Sequence, residues 1–543
     1  MRSFILLVVC LVAPCHAFAD SALPNIVVIL ADDLGIGDVG CYGGKQCLIE
    51  TPNIDALAAK GLRFTDAHPS ASVCGPTRRA LMTGRYPWRF ARAVNSGPWG
   101  FVGPKPNTEK STLGTLLKRS GYQTGYVGKW HLGTTMPTID GKTQDATNVD
   151  FTRPLRYGAV QFGFDESFIL PGSLDMYPYA FVRNNVWQGE ITAQKGWSAF
   201  NRVGPAEKDF QDHQVLETFY REAESYIGKQ QKGQPFFLFL ALTAPHTPTS
   251  PGVRWRGKSQ LGVYGDFVME VDHSVERVMK ALQANGLDDN TLILFSSDHG
   301  PAPYAGNILR ATPAQIHRLE AMGHYPSGPH RGYKFSAYEG GLRVPLIASW
   351  PGVIPDGQTC DALVGLNDLF ATFADLAGVK VNDTEGPDSI SFGNLLRNPK
   401  AKPTRQHLVM QSVVSFVIRD NNWKLCLCPG SGTPAHSENA AGSDPMPVEA
   451  WSRALEQFEG QLTNSDLLQA PFVQLFDLAR DPHEDNNLAT VYPERVDQMV
   501  AALQQQIVEG RSTPGPKLKN DRSIQVVNIR DKRLPEVVRE RLR

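Results

Sequence analysis

Residues 25–33 read NIVVILADD, an unbroken apolar run that stops at two aspartates. A strand with one face in water alternates apolar and polar residues. A run without polar members has both faces covered, as the strands of a parallel sheet do. The same form recurs at 122–131 (YQTGYVGKWH), 235–246 (PFFLFLALTAPH), 290–300 (NTLILFSSDHG) and 343–352 (RVPLIASWPG). Helical patterns lie between these runs, at 51–64 (TPNIDALAAKGLRF) and 264–286 (YGDFVMEVDHSVERVMKALQANG). In the second, Phe267, Val271, Val275, Val278 and Leu282 share one helical face and Gly286 supplies a stop. Apolar strands alternating with amphipathic helices predict an α/β fold built on a large mixed, mostly parallel sheet flanked by helices.

The character changes near residue 400. The stretches 407–427 (HLVMQSVVSFVIRDNNWKLCL) and 473–489 (VQLFDLARDPHEDNNLA), separated in part by a Gly/Ser/Pro-rich loop around 429–447, predict a smaller α+β domain of antiparallel strands and a closing helix. The expected division is 20–400 and 401–543.

At the amino end, Met1-Arg2, an apolar stretch from Phe4 to Ala13 and Ala17-Phe18-Ala19 have the form of a signal peptide, residues 1–19. The mature chain is therefore expected to be exported, to the periplasm or medium of a bacterium. With 543 residues, 41% of them hydrophobic, the chain can bury one large core and a satellite. A net charge of -1 gives no reason to expect nucleic acid or a membrane as partner. The basic tail after Lys517 reads as a solvated end. Of the eight cysteines, Cys41, Cys47, Cys74, Cys360, Cys426 and Cys428 follow the leader. Export permits disulfides, and Cys41 with Cys47 is a plausible local bridge.

In an open α/β sheet, ligands bind beyond the carboxyl ends of the strands. Those ends here supply Asp32-Asp33, Lys129 and His131, His246, and Asp298-His299. Each alone has an ordinary structural reading, as a cap or a hydrogen-bonded turn residue. Together they are harder to dismiss. Asp32, Asp33 and Asp298 are hard oxygen donors whose convergence requires a cation, and oxygen-rich ligation suits calcium or magnesium better than zinc. His299 offers a further ligand nitrogen. Lys129, His131, His246 and Lys334 (in RGYKFSAYEGG, 331–341) add positive charge and proton-transfer groups, a set suited to a tetrahedral anion such as sulfate or phosphate.

Residues 73–85 read VCGPTRRALMTGR. Cys74-Gly75-Pro76-Thr77-Arg78, continuing to Thr83-Gly84-Arg85, resembles the signature of type I, formylglycine-dependent sulfatases of the alkaline phosphatase superfamily. That signature reads Cys-x-Pro-Ser-Arg, so Thr77 stands where serine is usual. The resemblance extends over nearly the whole mature chain: PNIVVILADDLG resembles the first metal-binding strand, GKWHLG the Lys/His segment, APHTP the segment of the acid histidine, SSDHG the second metal segment and LFDLARDPHEDNNLA the carboxyl-terminal domain.

The resemblance implies a sulfuric ester hydrolase in which a maturation enzyme has oxidised Cys74 to the aldehyde formylglycine. A thiol matches a hard cation poorly, whereas the aldehyde hydrate presents oxygen. It implies further that Asp32, Asp33, Asp298, His299 and the modified Cys74 hold calcium, with magnesium the alternative. Arg78 and Lys129 steady the hydrate, His131 takes a proton as sulfate is expelled, and His246 and Lys334 bind sulfate and assist the leaving alcohol. The stretch FILPGSLDMYPYAFVRNN (168–185) resembles segments near the sugar pocket of sulfatases acting on galactose- or N-acetylgalactosamine-type sugars, which makes Asp175, Tyr177, Tyr179 and Arg183 candidates for reading a sulfated glycan. Two alternatives stay open: a phosphatase or phosphodiesterase of the same superfamily, and a non-catalytic glycan-binding relative.

Overall fold

The structure, a computed structural model, describes residues 23–90, 111–196, 202–305, 315–412, 415–432, 471–524 and 526. The expected leader 1–19, most of the Gly/Ser/Pro-rich loop and the basic end of the chain lie outside the described residues.

The Asn25–Asp32 strand is buried along its whole length. It lies between Phe236–Pro245 and Thr291–Ser297, parallel to both, at the centre of a ten-stranded sheet. From one edge the order is Gln358–Cys360, Leu62–Phe64, Leu346–Ser349, Thr291–Ser297, Asn25–Asp32, Phe236–Pro245, Gln123–Lys129, Glu166–Leu170, Val182–Arg183, Val186–Trp187. Alternate residues of the first strand enter opposite cores, which is why the run has no polar member. Ile26, Val28 and Leu30 pack with the Leu113–Arg119 and Leu369–Leu376 helices. Val27, Ile29 and Ala31 pack with Val215–Ile227 and Val263–Ala284. The long helix buries Phe267, Val271, Val275, Val278 and Leu282 as their spacing requires, each burial contributing ~1.5–3 kcal/mol.

One apolar run departs from the parallel pattern. Leu346–Ser349 is antiparallel to both of its neighbours. A parallel strand needs a crossover that returns the chain to the sheet's amino edge. The chain supplies His299 and Lys334 at the carboxyl edge before Leu346–Ser349, and this strand enters the sheet from that side.

The second sheet is antiparallel, in the order His407–Gln411, Phe416–Asp420, Trp423–Cys426, Gln474–Asp477. The Pro493–Glu509 helix closes it through Val496, Met499, Val500 and Leu503, in a core that also takes in Tyr86, Trp88, Tyr338 and Leu342 from the larger part. A buried ion network crosses the same boundary. Arg419 bonds Asp66 at 3.1 and 3.0 Å, and Lys424 meets Glu339 at 2.9 Å and Glu484 at 2.8 Å. Elsewhere the buried Arg89 donates to both oxygens of Asp388 (2.7 and 2.8 Å), to the carbonyl of Gln506 (3.0 Å) and to Asn520 (2.9 Å). Arg85 meanwhile pairs with Asp521 at 2.7 Å.

The expected Cys41–Cys47 bridge is not formed: both residues are free thiols. A helical turn and a 3-10 turn separate the two residues, and the Cys47 thiol is directed at the Ile49 carbonyl, 3.3 Å away. No helix among the described residues is long and apolar enough to cross a membrane.

Candidate active site

The register of the parallel strands brings their chemistry to one edge: Asp32 stands opposite Pro245, Ala31 opposite Ser297, and Lys129 ends its strand beside Leu170. Gly128 allows the approach, because at φ +117° a Cβ there would sit 1.8 Å from the Ala241 carbonyl oxygen. At the tips, Asp33 and His131 take left-handed backbone angles of 61° and 51° that side-chain-bearing residues seldom adopt. The Asp33 N–H is held by Asp298 at 3.2 Å, and the Leu34 N–H by Ser297 Oγ at 3.0 Å.

Cys74 opens the Cys74–Thr83 helix. Pro76 is tolerated in that first turn because its missing N–H would have had no helical partner. Thr77 donates to the Ala71 carbonyl at 2.6 Å, a bond that serine could also make. Gly84 ends the helix at φ +61°, with a Cβ excluded by Gly386 and Phe370 at 2.8 Å. One turn along from Cys74, Arg78 donates through Nε to Asp298 at 3.0 Å and lies 3.5 Å from Asp32.

Lys129 Nζ meets Asp32 at 2.5 Å, and Lys334 Nζ meets both oxygens of Asp33 at 2.8 and 3.1 Å. Lys334 is itself pinned: its N–H bonds the Pro301 carbonyl and the Phe335 N–H bonds the Ser72 carbonyl, each at 2.8 Å. Burial opposes ionisation of Asp32, but Lys129, His246, Arg78 and Lys334 outweigh it and hold the carboxyl well below its usual range. Asp33 is pushed up to about 7, by burial first and then by the charges of Asp32 and Cys74, with Lys334 and His299 opposing. Burial, reinforced by Lys334, keeps His246 neutral. Its Nδ1 lies 2.5 Å from the Thr247 carbonyl, which can only accept, so the proton sits there and the Nε2 lone pair faces Asp33 at 3.7 Å.

His299 carries the same logic to the centre of the site. Its Nδ1 donates to the Gly300 carbonyl at 2.9 Å, which leaves Nε2 as an acceptor 3.2 Å from Asp33 and 3.5 Å from Asp298. Neither His299 Nε2 nor Asp32 Oδ1 has a hydrogen-bond partner, although both are buried. Acceptors facing acceptors in a buried place repel unless a cation lies among them. Ligand atoms of Asp32, Cys74, Asp298 and His299 fall within 4.8 Å of one another, and those of Asp32, Asp33 and His246 do the same. The donor set, carboxylates with one imidazole, fits a single divalent cation. Of the expected ligands, only Asp33 is outside the first group, and Asp32 belongs to both. A third acidic cluster, Asp66, His68 and Glu339, also has metal-like spacing, but Arg343, Arg419 and Lys424 already supply its positive charge.

His131 is buried beside this edge, its N–H on the Pro171 carbonyl at 3.1 Å. Among the candidates for sugar recognition the structure separates four residues. Asp175 comes to the edge, 4.0 Å from His246, where Arg202 bonds it at 3.3 Å. Tyr177 packs its ring on Gly204, and Tyr179 donates to the Arg202 carbonyl at 2.6 Å, so both brace the chain that carries Arg202. Arg183 is not brought to the cluster. It donates to Glu222 of the flanking helix at 2.5 Å and covers the Phe168 ring. Sequence reasoning missed Arg202, which no motif marks, and Tyr304, whose only signal is its place just after Asp298-His299.

The sulfatase family model matches residues 24–379, more than half of the chain and all of this edge. The chain belongs to the sulfatase family. It is 31% identical over 528 residues to an N-acetylgalactosamine-6-O-sulfatase of Bacteroides thetaiotaomicron, covering 89% of this chain and 93% of that one. To the human N-acetylgalactosamine-6-sulfatase it is 32% identical over 442 residues, 76% of this chain and 77% of the relative. A solved Bacteroides thetaiotaomicron structure, described in connection with the metabolism of multiple glycosaminoglycans, superposes with a TM-score of 0.73 at 30% identity, covering 89% of this chain and 99% of the other. This sulfatase is thus a sulfuric ester hydrolase with the large mixed sheet and small antiparallel sheet of its family.

Proposed function

We propose that the protein removes sulfate from carbohydrates, specifically 6-sulfated N-acetylgalactosamine units of glycosaminoglycan-type chains, with position 74 as nucleophile beside one divalent cation. The observation that carries the reading is the meeting of Cys74 with Asp32, Asp298 and His299 on a buried edge that also holds Arg78, Lys129 and Lys334. The names of the two relatives, both N-acetylgalactosamine-6-sulfatases, support the choice of sugar.

Asp32, Asp298 and His299, with Asp33 alongside, would hold the cation, calcium by preference and magnesium otherwise, and the cation would polarise a sulfate oxygen. Conversion of Cys74 to formylglycine by a maturation enzyme would supply an oxygen nucleophile in place of sulfur. Lys129 and Arg78 set the charge around that position through Asp32 and Asp298. Lys334 presents its ammonium to the anion. A sulfate ester entering beside His246 favours the charged imidazole and so raises its proton affinity, which lets Nε2 protonate the leaving alcohol. His131 stands on the same edge as a second proton carrier, and Asp175 with Arg202 faces the sugar.

We further propose that residues 1–19 direct export, and that 20–400 and 401–543 form the catalytic and carboxyl-terminal domains.

The test is sulfate release from a panel of defined sulfated saccharides by purified protein, with mass spectrometry of the peptide around Cys74. Release from 6-sulfated N-acetylgalactosamine, in samples where cysteine has become aldehyde, is the expected result. Turnover of phosphate esters alone, with Cys74 an intact thiol, would replace this reading with the phosphatase alternative.

A further inference from the structure

Glu484 belongs to the stretch LFDLARDPHEDNNLA, to which the proposed reaction gives no task. Its side chain has no exposure to water, and its backbone takes a left-handed φ of 63°. A side-chain-bearing residue keeps such an angle only where its surroundings over-determine it. The surroundings here are the two ends of the loop 331–340, which carries Lys334. Glu484 Oε2 accepts the Glu339 N–H at 2.6 Å, and the Glu484 carbonyl accepts from the Arg331 guanidinium at 3.3 Å. The ends also meet each other, through the Gly340 N–H on the Arg331 carbonyl at 2.7 Å. The approach is close enough that a Cβ at Gly340 would lie 1.9 Å from the Gly332 carbonyl oxygen.

Between these ends the loop is tied to the edge of the large sheet. The Lys334 N–H bonds the Pro301 carbonyl and the Phe335 N–H bonds the carbonyl of Ser72, two positions before Cys74, each at 2.8 Å. Lys334 Nζ reaches Asp33 at 2.8 and 3.1 Å. Glu484 is itself fixed from the smaller sheet: Lys424 Nζ lies 2.8 Å from Glu484 and 2.9 Å from Glu339, with all three side chains buried. Without the Glu484 carboxylate, the Glu339 N–H loses its acceptor and Lys424 loses one of its two anions. One end of the loop then comes loose from the smaller sheet. A displacement of about 1 Å in a positioned group can cost ~10²-fold in rate.

We infer that Glu484 is a positioning residue: it clamps both ends of the 331–340 loop and so holds the Lys334 ammonium where the sulfate enters. The carboxyl-terminal part of the chain thereby shapes the site without touching substrate. The inference rests on the role proposed above for Lys334.

Glu484→Ala removes the grip on Glu339, Arg331→Leu removes the grip on the other end, and Glu484→Gln keeps an acceptor for the Glu339 N–H. Leu503→Ala, in the core beneath the closing helix, lowers stability without touching the loop and serves as the control. Inorganic sulfate affinity is measured by calorimetry on the full chain, independently of turnover. kcat and KM are measured for a sugar sulfate and for 4-nitrophenyl sulfate, and thermal melting gives the loss of stability in each variant. Glu484→Ala should weaken sulfate binding about tenfold and raise KM about tenfold on both esters alike. Arg331→Leu should weaken sulfate binding about threefold, while Glu484→Gln and Leu503→Ala stay within about twofold of wild type. A folded Glu484→Ala protein with wild-type sulfate affinity overturns the inference, as does an equal loss of affinity in Leu503→Ala. If Glu484→Ala does not fold, Arg331→Leu decides, and wild-type affinity there refutes the clamp. Absence of sulfate binding by wild-type protein also overturns the inference, because Lys334 then has no anion to meet. If wild-type protein binds sulfate but releases none from either ester, the proposed function fails, while the sulfate affinities still decide the role of Glu484.

Discussion

Replacing Arg89 by methionine removes a guanidinium that has no exposure to water and makes four hydrogen bonds, two of them to Asp388. Asp388 is equally buried, and its remaining anchor on this segment is the Tyr86 N–H at 2.8 Å. Breaking a buried ion pair by deleting one partner costs ~3–5 kcal/mol, chiefly because the other charge is stranded. The Gln506 carbonyl and the Asn520 side chain lose a donor as well, at ~1–3 kcal/mol for each group left unsatisfied. Arg89→Met alone should therefore lose at least ~3 kcal/mol. Adding Asp388→Asn removes the stranded charge yet keeps an oxygen for the Tyr86 N–H. The double variant should lose ~2–3 kcal/mol less than the sum of the two single losses. Urea denaturation followed by tryptophan fluorescence and by circular dichroism measures each corner of the cycle. A single-variant cost below ~1 kcal/mol, or strict additivity, would refute the argument that this pair anchors the segment leaving the Cys74 helix.

Three further outcomes follow from the same geometry. Chelation should abolish turnover, and Asp298→Asn should abolish cation binding in calorimetry, because the buried acceptors of Asp32 and His299 then lack the second carboxylate of their group; full turnover of a stripped sample would contradict this. His246→Ala should lower kcat by ~10²–10⁴-fold on sugar sulfates and far less on nitrophenyl sulfate, as read from a leaving-group series. The Asp66 carboxyl is held below its usual range, burial being outweighed by Arg419, Arg343 and His68. Its stabilisation is thus complete above the unfolded value near 4 and fades as pH falls below it, so Asp66→Asn should flatten the acid limb of a stability–pH curve without steepening the alkaline limb.

The central strands and the gathering of polar residues at their carboxyl edge were legible because both signals are local. An all-apolar run announces a strand covered on two faces, and whatever follows it stands at the carboxyl edge, as Asp32, Lys129, His246 and Asp298 do. Signals that depend on the path of the chain were not legible. Nothing in RVPLIASWPG says that its strand runs antiparallel, since that depends on where residues 298–345 travel. Arg183 resembles a ligand-reading arginine until Glu222, 39 positions on, is seen to take it. Arg419 and Asp66, 353 positions apart, each read as an ordinary surface charge, and only the packing of one sheet on the other makes them a buried pair.

The left-handed backbone at Asp33 and His131 bears on how such a chain can change over generations. Each of these residues sits in a conformation that glycine adopts freely and that costs a side-chain-bearing residue ~1–2 kcal/mol. Around them, carboxylates and imidazole lone pairs are crowded together out of water, which the fold alone does not reward. Neutral or smaller residues at these places would relieve both costs and leave the sheet intact. Drift toward a sturdier protein therefore runs through this edge of the sheet first. Descendants that had lost the reaction would be recognisable by a better-behaved backbone at positions 33 and 131, with the apolar runs of the central strands unaltered.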